Sequence, residues 1–90
     1  MSERISKKLG VFGQIRDYIK TIDPAVVSEI EDATEDELVA NLYTSGFDWV
    51  ILGEIQRIAK ANNVRVGFSV EPYSQTAIKL ILVISEVAEE

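Results

Sequence analysis

The residue types this chain lacks go furthest in defining its chemistry. Its 90 residues include no histidine and no cysteine. The first absence removes the commonest general base and the commonest transition-metal ligand; the second removes thiolate nucleophiles and disulfides. Zinc sites of the usual kind and Ser–His or Cys–His nucleophile pairs are excluded by composition. Acid–base work is left to carboxylates, lysines, tyrosines and hydroxyls. Residues 29–37 hold six carboxylates, Glu29, Glu31, Asp32, Glu35, Asp36 and Glu37. They lack the fixed offsets and the glycine turn of a calcium loop, and nothing selects two of them as a glycosidase pair. Gly10 and Gly13 match neither the dinucleotide-binding spacing nor a P-loop. The residues predict no enzyme, no catalytic side chain, no cofactor and no bound metal.

What remains is recognition. Arg4, Lys7 and Lys8 form a basic group that would face phosphate or an anionic partner, or else solvent on a helix surface. Trp49 is the only tryptophan. It is an interface anchor or a base-stacking platform in one reading and half-buried core in the other. Tyr73 follows Pro72 at the expected tip of a hairpin, a natural contact point. The net charge of −6 is unevenly spread. Residues 1–20 carry five basic side chains against two acidic ones, and residues 21–50 carry eight acidic ones and no base. The basic start can meet an acidic surface within the chain or on a neighbour.

These side chains need elements to position them. Ile5, Leu9, Phe12, Ile15, Ile19 and Ile22 recur every three or four residues, the stripe of an amphipathic helix, with Ser2 as its cap. Asp23 and Pro24 read as the start of a short helix with Val26, Val27 and Ile30 on one face. Thr34 and Glu37 read as a capping box ahead of two helical turns bearing Leu38, Val39, Leu42 and Tyr43, which Gly46 stops. Residues 47–52 fit either a buried strand or the front of a helix. The longer helix, from an Asp48 cap to Asn62 and Asn63, is favoured, with Ile51, Leu52, Ile55, Ile58 and Ala59 on one side. Val64, Val66, Phe68 and Val70 alternate with Arg65, Gly67, Ser69 and Glu71 as a half-buried strand. Residues 72–75 turn, and residues 77–85 form a second strand. The expected fold is one α+β domain over residues 1–90, with three to four short helices followed by a C-terminal antiparallel β-hairpin.

In that last strand Ile78, Leu80, Leu82 and Ile84 line one face, and Ile81 and Val83 the other. A strand apolar on both faces calls for cover on both. The candidates for the cover over Ile81 and Val83 are a further strand of this chain, the N-terminal helix, or a second copy of the protein.

The order helix, helix, helix, hairpin resembles a winged-helix domain over residues 36–85. The resemblance rests on Leu38, Val39, Ala40, Asn41 and Leu42, a bend at Ser45 and Gly46, and Ile55, Gln56, Arg57, Ile58 and Ala59 ahead of Val64. It implies DNA binding through the helix 48–62, with Gln56, Arg57 and Lys60 contacting bases or phosphates and Arg65 and Tyr73 on the wing.

Three functions follow. The first is a non-enzymatic protein–protein interaction or regulatory module, a homodimer or higher, with Ile81, Val83, Trp49 and Tyr73 at its interface. The second is a winged-helix-like DNA-binding regulator, against which the acidic balance weighs. The third is an acidic decoy for a basic, nucleic-acid-handling protein. No apolar run approaches the roughly 20 residues that cross a bilayer. Residues 1–8 lack a signal-peptide pattern, so the expected setting is the cytoplasm, with no membrane partner.

Overall fold

The computed structural model describes residues 3–87. In chain order the elements are α1 (Glu3–Ile22), β1 (Val27–Ala33), β2 (Glu37–Thr44), α2 (Trp49–Ala61), β3 (Val64–Pro72) and β4 (Ile78–Glu86). The strands form one antiparallel sheet in the order β1-β2-β4-β3. The last strand therefore lies inside the sheet, and β1 and β3 are its edges.

The core lies between one sheet face and the two helices. Val11, Phe12, Ile15 and Ile19 of α1 and Ile51, Ile55, Ile58 and Ala59 of α2 pack on Leu38, Ala40 and Leu42 of β2 and on Leu80, Leu82 and Ile84 of β4. Val64 and Val66 add one end of β3. The register makes this face continuous, since Leu38, Ala40 and Leu42 sit opposite Ile84, Leu82 and Leu80. Among the described residues no helix is long and apolar enough to cross a membrane.

The expected layout of three to four helices and a terminal hairpin is overturned. The described residues form two helices and a four-stranded sheet. The segment from Asp23 to Ile30 is not a helix; it contains a turn and β1. Asp23 accepts hydrogen bonds from Ala25 N (3.1 Å), Thr44 Oγ1 (2.7 Å) and Ser45 N (3.1 Å), so it fastens the end of α1 to the end of β2. Leu38, Val39, Leu42 and Tyr43 lie on a strand, not on two helical turns. The same residues satisfy a period of two once Ala40 and Thr44 count as inward positions. Thr34 and Glu37 do bond reciprocally, but across a hairpin. Thr34 Oγ1 accepts from Glu37 N (3.1 Å) and donates to Glu37 O (3.0 Å). Without the helix over residues 38–43 there is no helix-turn-helix, and the winged-helix layout falls with it. Gly46 stops no helix. It lets the chain pass α1, where a Cβ would meet Ile22 Cγ2 at 3.2 Å.

The other elements stand where the residues place them. The stripe from Ile5 to Ile22 forms α1, although Ile22 itself is exposed; the Ser2 cap lies outside the described residues. Asp48 caps α2, accepting from Val50 N (2.9 Å) and Ile51 N (3.2 Å). Asn63 leaves the helix at φ 55°, in the left-handed region that asparagine tolerates.

Among the described residues three polar side chains are buried, Lys8, Asn41 and Thr44. The Lys8 ammonium is fully covered and donates to Arg4 O (3.2 Å), Glu35 O (2.7 Å) and Glu86 Oε1 (3.1 Å). It joins α1 to the β1–β2 loop and to the end of β4. Arg4 adds longer contacts to Glu35, Asp36 and Glu86, and Lys7 one to Glu86. The basic start thus meets acid within the chain.

Removing Lys8 leaves its part-buried acceptors unpaired, so Lys8→Met is expected to lose about 1–3 kcal/mol of stability, read as a lower denaturant midpoint at unchanged slope. The bond from Lys8 holds the Glu86 carboxyl below its ordinary value of 4.5, and the bond from Thr44 holds Asp23 below 3.8. A carboxyl depressed in the folded chain stabilises it fully above the unfolded value, and this stabilisation is lost as pH falls through the folded value. Stability is therefore expected to decline from about pH 4.5 downward, and less steeply in Lys8→Met, where the largest part of the Glu86 share is removed and Lys7 and Arg4 keep the rest.

Candidate functional site

The two helices leave two apolar surfaces without cover. The first begins at the Asp48 cap. Capping fixes the rotation of α2 so that Ile51, Ile55 and Ile58 face inward. Trp49 and Val50 lie off that stripe and emerge at 85% and 67% exposure. Beside them on β3 stand Phe68 and Val70, at 43% and 41%. Their strand partners Leu82 and Leu80 are fully buried, so Phe68 and Val70 share the helix-covered face. They lie beyond the part of β3 that is buried, which ends at Val66. Phe47, Asp48, Trp49, Leu52, Phe68 and Val70 line a groove of about 430 Å3.

The second surface is the other face of the sheet. Register places Val39 opposite Val83, and Asn41 opposite Ile81. Val39, Ile81 and Val83 are half-buried by their sheet neighbours alone. Asn41 is buried beside them, and its Nδ2 donates to Glu29 Oε1 (3.1 Å) and Glu31 Oε2 (3.3 Å). At one end the Tyr43 and Tyr73 rings pack tilted with centroids 4.6 Å apart. Burial, and then the Glu29 carboxylate, hold the Tyr43 hydroxyl above its ordinary value, so it stays neutral.

Of the expected interface residues, Ile81, Val83 and Tyr73 therefore belong to one face, and Trp49 belongs to the helix side. Of the residues expected to touch nucleic acid, Gln56, Lys60 and Arg65 line one shallow cleft of about 330 Å3 between α2 and β3. Arg57 is not in it, because its guanidinium is engaged by Glu54 one turn back. Gln56 donates from Nε2 to Val66 O (3.3 Å). Among the described residues no group of three or more acidic side chains is arranged to hold a metal.

Sequence reasoning missed Val50, Phe68 and Val70 as surface residues. Val50 carried a signal, since it falls off the Ile51, Ile55, Ile58 stripe. Phe68 and Val70 carried none. Alternation assigns them to the core face without saying how far the helix above will reach. The burial of Lys8 was also missed, although its charge pairing was legible.

No protein-family model matches the chain, and no curated protein matches it. Two solved structures are similar to it. The periplasmic domain of XcpY shares 16% identity over 86% of this chain and 97% of that one, at a TM-score of 0.49. The Fe(II) unliganded H-NOX protein from K. algicida shares 16% identity over the whole of this chain and 52% of that one, at a TM-score of 0.53. The chain thus spans about half the length of that H-NOX protein, and the likeness is one of fold.

Because Trp49 contributes little to the core, Trp49→Ala is expected to leave stability within about 0.5 kcal/mol of the parent. Leu82→Ala, in the middle of the sheet, is expected to lose about 2–5 kcal/mol. Thermal or denaturant unfolding of the two variants side by side checks both.

Proposed function

We propose that this chain is a non-enzymatic protein-contact module that associates with itself through the apolar patch around Trp49. The observation that carries the reading is the exposure of Trp49 next to Val50, Phe68 and Val70. Contiguous apolar surface of this kind marks interaction sites, and tryptophan is over-represented among the residues that dominate binding energy. Asp48 at the groove supplies a polar rim of the kind that interfaces place around such a centre. The absence of histidine and cysteine fits a role in contact rather than chemistry.

The nucleic-acid reading draws less support. The face of α2 bearing Ile51, Ile55 and Ile58 is spent on the sheet, and Arg57 is paired with Glu54. The decoy reading needs free acids, whereas Glu35 and Asp36 face Arg4, and Glu29 and Glu31 hold Asn41.

Trp49, as the single tryptophan, reports on its own surroundings. Its emission is expected to lie at the wavelength of a solvated indole in dilute solution. At high micromolar concentration it is expected to move to the blue and to resist acrylamide quenching. Emission that stays solvated and quenchable at every concentration would overturn the reading.

A further inference from the structure

The two edges of the sheet are treated differently. Edge strands expose unpaired backbone groups that recruit other strands unless something prevents it. β1 is guarded. Glu29, Glu31 and Asp32 stud it, and its register breaks between Ile30 and Asp32. β3 is guarded less: it has no register break, and its charges, Arg65 and Glu71, stand only toward its two ends. Its nine residues pair with β4 without a break from Val64 to Pro72, and its outer part shows Phe68 and Val70 to solvent.

The backbone of β3 also has its open groups in a definite place. Tyr73 N donates to Ala77 O (3.1 Å) at the turn, so the odd-numbered residues of β3 bond inward to β4. The N–H and C=O of Val66, Phe68 and Val70 then point away from the sheet. The bond from Gln56 Nε2 to Val66 O agrees with this direction and uses one of that carbonyl's two lone pairs.

The strand is chemically self-complementary. Reversed on itself about Phe68, its sequence sets Arg65 against Glu71, Val66 against Val70, Gly67 against Ser69 and Phe68 against Phe68. In an antiparallel pair built this way, Val66, Phe68 and Val70 exchange backbone bonds with Val70, Phe68 and Val66 of the second copy. Arg65 and Glu71 fall at the non-bonded pairs that flank these on either side, where opposed side chains come closest. Both are exposed and lie on the face away from the helices, so the pairing forms two Arg–Glu contacts. On the helix side the two Trp49 grooves meet across the Phe68 contact.

We infer that two copies join β3 to β3 about a two-fold axis at Phe68, making one eight-stranded antiparallel sheet. The inference rests on the contact reading above and gives it a geometry.

Charge reversal at the two ends of β3 tests it, read by sedimentation velocity on the full chain with circular dichroism as the check on folding. Arg65→Glu takes the net charge from −6 to −8, and Glu71→Arg takes it to −4. A general charge effect would move the two variants in opposite directions. The register makes both variants dissociate at least about tenfold more readily, because each sets like charges together twice. It also makes an equimolar mixture of the two recover the dimer, since an acid again faces a base at both positions. If both variants dimerise like the parent while Trp49→Ala does not, the strand pairing is overturned and the contact reading stands. If the parent is a monomer at every concentration, both are overturned.

Discussion

Among the described residues, two helices, of 20 and 13 residues, cover a four-stranded sheet. Their limited reach organises the molecule. The helices cover the inner strands, β2 and β4, whose inward residues are almost without exposure. The edges receive what is left. β1 is exposed at all seven positions and β3 is buried only at Val64 and Val66. Burial is roughly proportional to apolar area removed from water, so stability concentrates in the centre, and the edges are free to carry other properties.

Each edge takes a different property from its residues. On β1 the acids that unbalance the chain's charge serve a structural end, because a carboxylate-rich, bulged edge does not recruit strands. On β3 the alternation of a core strand continues past the helix that should cover it, which leaves Phe68 and Val70 beside Trp49. The Lys8 ammonium lies far from this patch in the chain's logic as well as its chemistry. It fixes α1 over the sheet by satisfying acceptors from three segments, and so it stabilises the layer arrangement and makes no outward contact.

The parts of the fold legible in the sequence were those whose period has one reading. Val64 to Val70 alternates without ambiguity, β4 is apolar from Leu80 to Ile84, and α2 ends on Asn62 and Asn63, while its front fits a strand as well until the Asp48 cap decides it. The segment 24–44 was misread for a physical reason. Leu38, Val39, Leu42 and Tyr43 satisfy a helical period, and the residues that reveal the strand, Ala40 and Thr44, are small or polar and carry little weight in an apolar count. Acidic residues after Asp23 and Thr34 imitate the first turn of a helix, yet here they belong to a solvated edge. The doubly apolar character of β4 is legible in its residues, and a further strand of the chain is among the candidates for its neighbour, but its central place in the sheet is not legible. β4 is a central strand, so β2 and β3 shield Ile81 and Val83 from the sides. The exposure of Trp49 depended on where a helix ends relative to a strand, which is a property of tertiary structure.

If the open groups of β3 are taken up by a second β3, amide hydrogen exchange followed residue by residue at two protein concentrations shows it. The N–H groups of Val66, Phe68 and Val70 are expected to be protected in concentrated solution and to lose that protection on dilution, while those of β4 stay protected throughout. Fast exchange at all three positions in concentrated solution would mean that β3 stands unpaired.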